Sequence, residues 1–512
     1  MKTFLPRKLD QCKRKIERRL GHDHRPSEDP MLTACNINYE FSDRIHGMAC
    51  GGIGAMHLLA RRCGLTDELN RRLHLLKVHL PYHESDHVLT IAYNILAGGE
   101  CLEDLELLRH NGPFLDALGA ERIPDPTTAG DFCRRFTVTD IWQLMDGCNA
   151  ARQRVWAQQP KSFFRQAILD ADGTLAPTTG ECKQGMDISY DGQWGYHPLL
   201  LSLANTKEPL FLVNRSGNRP SHEGAAECFD KSIVLCRDAG FEQILMRGDT
   251  DFSQSGHLDR WNAQEDVRFL FGFDKTTSLI QKAEALPETA WKHFQRPAKY
   301  EVKTEPRARP DNVKEAIVVA REFENTRLLS EDVAEFRYRP VACKNAYRMV
   351  VVRKNLSVEK GEAVLFDEIR YFFYITNIYH LPPDQIVLLA NDRCDQENLI
   401  EQLKNGVKAM KMPVDNLVSN WAYMVMATLA WNLKAWLALS VAVAPGRWRR
   451  RHEQQKQQLL RMEFKGFCNA MLRLPCQIIK TGRRVIYRVL AWNPWLGVFL
   501  RTVAALRSPM LN

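Results

Sequence analysis

The sequence predicts a mixed α/β (α+β) fold with helical ends, and three observations carry that expectation. Residues 1–160 place apolar side chains at helical spacing, as in HLLARRCGLTDELNRRLHLLK and HVLTIAYNILAGGECLEDLELL, with little strand-like alternation. From Phe164 the pattern changes to short apolar runs bounded by Gly, Pro and Asn. Those runs alternate with helical stretches in the order β-β-β-α-β-α-β, which describes a mixed sheet flanked by helices.

Each element follows from its local pattern. In the helical front end, IPDPTTAGDF reads as a turn and a helix start, with Thr127 or Thr128 as the cap. The runs FFRQAILDADG, HPLLLSLANT and PLFLVNRSG read as three successive strands joined by short turns, an antiparallel meander. A helix follows (SHEGAAECFDKSIVLCRDAG, with His222 and Glu223 at its cap), then the strand FEQILMRGD, a second helix and the strand VRFLFGFD. Residues 275–370 break the pattern. There the Pro/Arg-rich PRARPDNVK and the alternating runs EAIVVAREF and YRMVVVRKN predict a β-rich insertion, closed by the strand YFFYITNI. A helix from about Asp384 to Lys411 and an apolar helix over 414–443 complete this part. The apolar helix carries Asn432 and Lys434 near its centre, where charge is costly in a bilayer, so it is expected in a protein core and no membrane span is predicted.

Charge distribution separates the C-terminal end. The chain of 512 residues carries +9. Residues 446–512 hold 14 Lys/Arg and two acids, a balance of +12 that leaves −3 for residues 1–445. Clustered cations mark a polyanion partner. Trp448, Tyr487, Trp492 and Trp495 lie among these arginines and suit stacking beside phosphate neutralisation, a packed amphipathic helix being the alternative. The expected organisation is therefore a helical region at 1–160, which can bind DNA, pair with another subunit or pack on the rest, a mixed α/β region at 161–445 with the β-rich insertion, and a basic helical tail at 446–512. The 14 cysteines form no CxxC pair, and the N-terminus has no apolar run after its basic residues. These features predict a reducing cytoplasm and argue against a zinc finger or a signal peptide.

Three acids sit at the ends of predicted core elements: Asp172 after the strand QAILDADGT, Asp249 after FEQILMRGD, and Glu397 in the helix NDRCDQENLIEQLKNG. Carboxylates converging at a sheet edge can hold two divalent cations roughly 3.5–4 Å apart, the arrangement used for phosphodiester cleavage. Mg2+, with Mn2+ as a substitute, prefers such oxygen ligands. Taken singly, each strand-end Asp reads first as a turn cap; the three together, in this element order, favour the metal-holding reading. Arg393, Glu397 and Lys404 are spaced at offsets 0, 4 and 11, which puts them on one face of a continuous helix.

Here the chain resembles the DDE transposases of bacterial insertion sequences, in particular the subgroup with a Tyr-x2-Arg-x3-Glu-x6-Lys signature. Arg393-x3-Glu397-x6-Lys404 matches its last three terms, whereas the Tyr position holds Ala390. LDADGT, RGDTDF and YFFYITN resemble the two Asp motifs and the strand before the Glu helix, and PDPTTAGDFCRRF and YDGQWGYHPLLLS also resemble this group. The resemblance runs from about Thr66 to Ala438. It implies a ribonuclease H-like core with a β-rich insertion and a metal pair held by Asp172, Asp249 and Glu397. It further implies phosphate contacts from Arg393 and Lys404, and DNA partners comprising terminal inverted repeats and target DNA. Because two ends are cut together, a homodimer on DNA is expected.

Asp170, two residues before Asp172 on the same strand face, is the rival for the first acid. Asp251 lies beside Asp249, and Trp194 and Tyr196 are candidates for stacking on an extruded base, with core packing as the alternative. Two other functions compete. ILDADGTL also fits a haloacid dehalogenase-type phosphatase with Asp170 as nucleophile, Asp172 as general acid, and Lys231 and Asp249 completing the site. A transposase-derived protein that binds DNA without cutting is the other.

Overall fold

A nine-stranded sheet runs through the middle of the chain. In the computed structural model, which describes residues 4–21, 34, 37–39, 45–79, 81–296, 317, 319–321, 324–360, 363–482 and 484–508, its strands are β1 (Ala167–Gly173), β2 (Leu199–Leu203), β3 (Glu208–Val213), β4 (Ile244–Gly248), β5 (Val267–Phe273), β6 (Lys292–His293), β7 (Glu324–Tyr338), β8 (Tyr347–Lys360) and β9 (Ala363–Thr376). Their spatial order is β6-β7-β8-β9-β5-β4-β1-β2-β3. β1 runs antiparallel to β2 and parallel to β4, and β4 runs parallel to β5. Every residue of β2 and β4 is buried, as expected of central strands covered on both faces. The five strands β1–β5 with their crossover helices give the β-β-β-α-β-α-β order of a ribonuclease H-like core.

The helices used below are α1 (Glu84–Ala97), α2 (Val138–Trp156), α3 (Ala225–Ala239), α4 (Ser255–Asn262), α5 (Pro383–Asn391), α6 (Cys394–Glu401), α7 (Leu417–Leu439), α8 (Arg449–Arg461) and α9 (Leu496–Arg507). α7 is buried at every position from Ser419 to Leu439 and packs against α1, α2 and β3. No helix among the described residues is long and apolar enough to cross a membrane. Glu208, at the start of β3 and fully buried, joins these layers. It receives Arg152 (3.0 Å) and the indole N–H of Trp156 (3.0 Å) from α2, the indole of Trp436 (2.8 Å) from α7, and the Thr206 hydroxyl.

Several local expectations are corrected. The cap of the helix Pro126–Arg134 is Asp125, which accepts from the Thr128 backbone at 2.9 Å and from its hydroxyl at 2.8 Å; Pro126 takes the first helical position. α3 starts at Ala225 after a left-handed Gly224, so His222 and Glu223 precede it in a turn. The connection from β1 to β2 is not short, because residues 174–198 build a separate three-stranded sheet. The insertion does not stand apart, since β9 continues from β8 into antiparallel pairing with β5 (Phe373 opposite Phe273). Ile317 and residues 319–320 of EAIVVAREF are helical, and PRARPDNVK lies outside the described residues.

The basic C-terminal segment is not wholly helical. α8 and α9 flank an antiparallel hairpin, Cys476–Thr481 with Arg484–Val489, edged by Gly47–Met48. The hairpin packs back on the N-terminal helices, where the Tyr487 hydroxyl donates to the Ala117 carbonyl at 2.6 Å.

Candidate active site

Because β1 and β4 are parallel neighbours, residues near their C-terminal ends emerge side by side. Asp172 occupies the next-to-last position of β1, and Asp249 directly follows β4. The loop after β4 passes so close to β5 that a Cβ on Gly272 would meet the Thr250 nitrogen at 2.8 Å, so this close approach requires glycine. The Asp249 carboxylate accepts the Asp251 N–H at 3.0 Å, and Asp251 itself is exposed and serves this turn.

Arg393 joins the two aspartates. Its Nη1 donates to Asp172 Oδ2 at 3.3 Å and lies 3.9 Å from Asp249 Oδ2. The predicted continuous helix around it is broken: α5 ends at Asn391, Arg393 immediately precedes α6 without a side-chain cap, and Lys404 sits in a π-helical turn, Gln402–Gly406. The Asn391 side chain donates to the Val387 carbonyl at 2.7 Å, a side-chain bond of the kind that competes with helix continuation. Glu397 lies one turn into α6, exposed and close enough to Asp172 to act on it electrostatically; Lys404 also acts on Asp172. α6 is pinned to the sheet by buried Gln396, which accepts from the Ser202 hydroxyl and donates to the carbonyls of Asp170 and Leu200, both at 3.4 Å.

The other sequence candidates fall elsewhere. Asp170 is buried, and both its oxygens are taken by Arg247 at 2.7 and 2.8 Å. That leaves no free oxygen for a nucleophile. Lys231 stands on α3, paired with Glu227 at 3.7 Å and over the Trp142 ring, not with these aspartates. The phosphatase arrangement is therefore absent. Trp194 is 52% exposed on the small sheet, whereas Tyr196 beside it is fully buried and donates to the Gln184 carbonyl at 2.7 Å.

Burial, with Asp249 and Glu397 nearby, pushes the Asp172 carboxyl up to about 7 although Arg393 opposes the rise. Burial also raises Asp249. One guanidinium leaves this acidic group under-compensated, and its donors are all hard carboxylate oxygens, a chemistry suited to Mg2+ or Mn2+. The three carboxylates do not all approach within 4.8 Å of one another. A cleft of about 520 Å³ opens beside them, lined by Asp249, Arg393, Glu397, Arg370, Phe372 and Tyr374.

Among the described residues one other group, His79, His83 and Glu84, gathers three ligand atoms. Its two imidazoles are stacked at 12°, so their in-plane lone pairs cannot meet at one ion, and His79 instead contacts Glu84 Oε2 at 3.1 Å. Sequence reasoning missed Arg247, Gln396 and Tyr374. Arg247 carried a signal: a lone cation in an apolar strand requires a buried anion.

The model of the transposase DDE domain group 1 family matches residues 46–510. Comparison with curated proteins gives no match. Among solved structures, the chain is similar to a piggyBac transposase determined by cryo-EM as a synaptic complex with hairpin DNA, at 11% identity and a TM-score of 0.33, covering 83% of this chain and 82% of that one. With a family match that takes in both strand-end aspartates, the glutamate helix and the C-terminal hairpin, this chain belongs to the DDE transposases.

Proposed function

We propose that the protein cleaves the ends of a mobile DNA element and joins the freed 3′-hydroxyls to target DNA, using Asp172, Asp249 and Glu397. One observation carries the reading: carboxylates borne by β1, the end of β4 and α6 gather at the C-terminal end of the sheet with a guanidinium between two of them. Two divalent cations, when bound, supply activation of the attacking oxygen and stabilisation of the leaving oxygen.

Asp172, which senses both other acids, would hold the ions together with Asp249 and Glu397. Arg393 and Lys404 hold phosphates of the cleaved strand. Trp194, exposed on the small sheet, stacks on an extruded base. Both steps are in-line displacements needing no covalent protein intermediate. Phosphate contacts carry no sequence information, so recognition of the terminal repeats requires base contacts from the N-terminal helices or the basic C-terminal segment. Paired ends call for a homodimer on DNA, acting in the bacterial cytoplasm.

The test is cleavage of a duplex carrying the element's own end, with Mg2+, by wild type and Glu397→Gln. Metal-dependent nicking at the end, lost in the variant, is the expected result. Specific binding without nicking by wild type would overturn the catalytic reading in favour of DNA binding alone.

A further inference from the structure

The contact between Arg393 and the two aspartates has an awkward consequence for a cation site. A guanidinium 3.3 Å from Asp172 and 3.9 Å from Asp249 takes up the charge and the lone pairs that a divalent ion needs. A fixed cation at that place repels any other. Yet Arg393 is not built in as a structural ion pair. No described backbone carbonyl or further acid holds its guanidinium, unlike Arg247, which is gripped by Asp170 and by the Leu389 carbonyl. It stands at the joint between α5 and α6, where the helical bonding is weak: Arg393 N–H reaches the Ala390 carbonyl only at 3.4 Å, and Asp395 N–H reaches Asp392 at 3.4 Å. It also lines the open cleft, so its side chain has somewhere to go. Guanidinium binds carboxylate and phosphate with the same two-pronged geometry, which makes exchange between them simple.

Resting on the function proposed above, we propose that Arg393 is a placeholder cation. It occupies Asp172 and Asp249 in the DNA-free protein and exchanges them for a backbone phosphate when DNA enters the cleft, which frees the carboxylates for the divalent ions. Metal binding and DNA binding are thereby coupled, and the acidic site is kept from charging with metal before a substrate is present. The coupling is reciprocal, as linkage requires.

The experiment is titration of the full-length protein with Mn2+, read by the electron paramagnetic resonance signal of the free ion, with and without a duplex carrying the element's end. Without DNA, Arg393→Gln is expected to bind Mn2+ roughly tenfold more tightly than wild type, within the usual range for such couplings of about 5–150-fold. Arg393→Lys, which keeps the charge, stays close to wild type. With DNA present the wild-type affinity rises and the gap to Arg393→Gln closes, although the variant cleaves less. A guanidinium that stays fixed beside the aspartates would leave Arg393→Gln the tighter binder with DNA and without it alike, so closure of the gap on adding DNA is what marks exchange, and a gap that persists with DNA overturns it. Equal or weaker Mn2+ binding by Arg393→Gln in the absence of DNA would overturn the proposal. Should Arg393→Gln melt below the assay temperature, the wild-type titrations with and without DNA decide alone, and an unchanged affinity overturns it. Failure of the function itself reads differently: wild type then neither nicks the duplex nor binds Mn2+ in either state.

Discussion

Arg247 and Asp170 are register partners on neighbouring parallel strands, joined by two charge-assisted hydrogen bonds and almost wholly buried. Arg247 goes on to donate to the Leu389 carbonyl of α5 at 2.7 Å. The pair thus ties the strand carrying Asp172 to the strand ending at Asp249 and to the helix leading into Arg393. Removing one partner strands a buried charge, at a cost of about 3–5 kcal/mol. Asp170→Asn is therefore expected to lose that much stability, whereas Asp172→Asn loses nicking and keeps its fold. Denaturant unfolding of both variants, beside the nicking assay, checks this. Equal stability would return Asp170 to contention as the first acid.

The same pair shows how far the sequence is legible. Strand-end acids are visible because the apolar runs before them fix where the strands stop, so Asp172 and Asp249 stand out. The register that puts Asp170 opposite Arg247 is a long-range property that no local pattern encodes. The Arg393–Glu397–Lys404 spacing fits an unbroken helix, and only the Asn391 bond to Val387 and the π-helical turn after Gln402 reveal the breaks. The C-terminal hairpin is hidden because Ile486, at an exposed position of RVIYRV, interrupts the polar–apolar alternation that Arg484 and Arg488 otherwise set.

Glu208 offers a test of the junction between α2, β3 and α7. Its carboxylate serves one guanidinium, two indoles and a hydroxyl. Glu208→Gln replaces an acceptor oxygen by a donor and leaves Arg152 unpaired, an expected loss of about 3–5 kcal/mol. Arg152→Met should cost less, because the carboxylate keeps its other three donors. Thermal unfolding of the two single variants ranks them, and the reverse order would contradict this assignment of Glu208 as the hub.

Lys434 gives the molecule a pH-dependent stability. It is buried in α7, donates from Nζ to the Leu460 carbonyl at 2.9 Å and lies 3.8 Å from the Trp431 ring centre. Burial, with Lys207 adding repulsion, pushes it down to about 7, against about 10.4 in an unfolded chain. Between those values the unfolded chain holds a proton that the folded chain has released. Stability contributed by this group therefore rises with pH across the window, by about 1.4 kcal/mol per unit, and is flat below it. Denaturant unfolding at pH 7 and pH 9 should show that rise in wild type and not in Lys434→Met. Parallel behaviour of the two would place the titration on another group.

The basic C-terminal segment cannot be assessed by deletion, because Leu459, Leu460, Phe464, Phe467, Met471 and Leu472 are all buried in the main core. Its charge can be removed without touching that packing. Arg447, Arg450 and Arg451 are exposed around the start of α8, two of them beside the Trp448 ring, whereas Arg449 is engaged with Glu453 at 2.8 Å. Each phosphate contact contributes about −0.9 to the slope of log affinity against log salt on duplex DNA. If these three arginines lie on the duplex, replacing them by Gln makes the slope shallower by about 2–3 and weakens binding at low salt far more than at high salt. Melting temperature should stay unchanged, since nothing buried is altered. A slope identical to wild type would move the duplex off this face and leave its recognition to the helices of the N-terminal region.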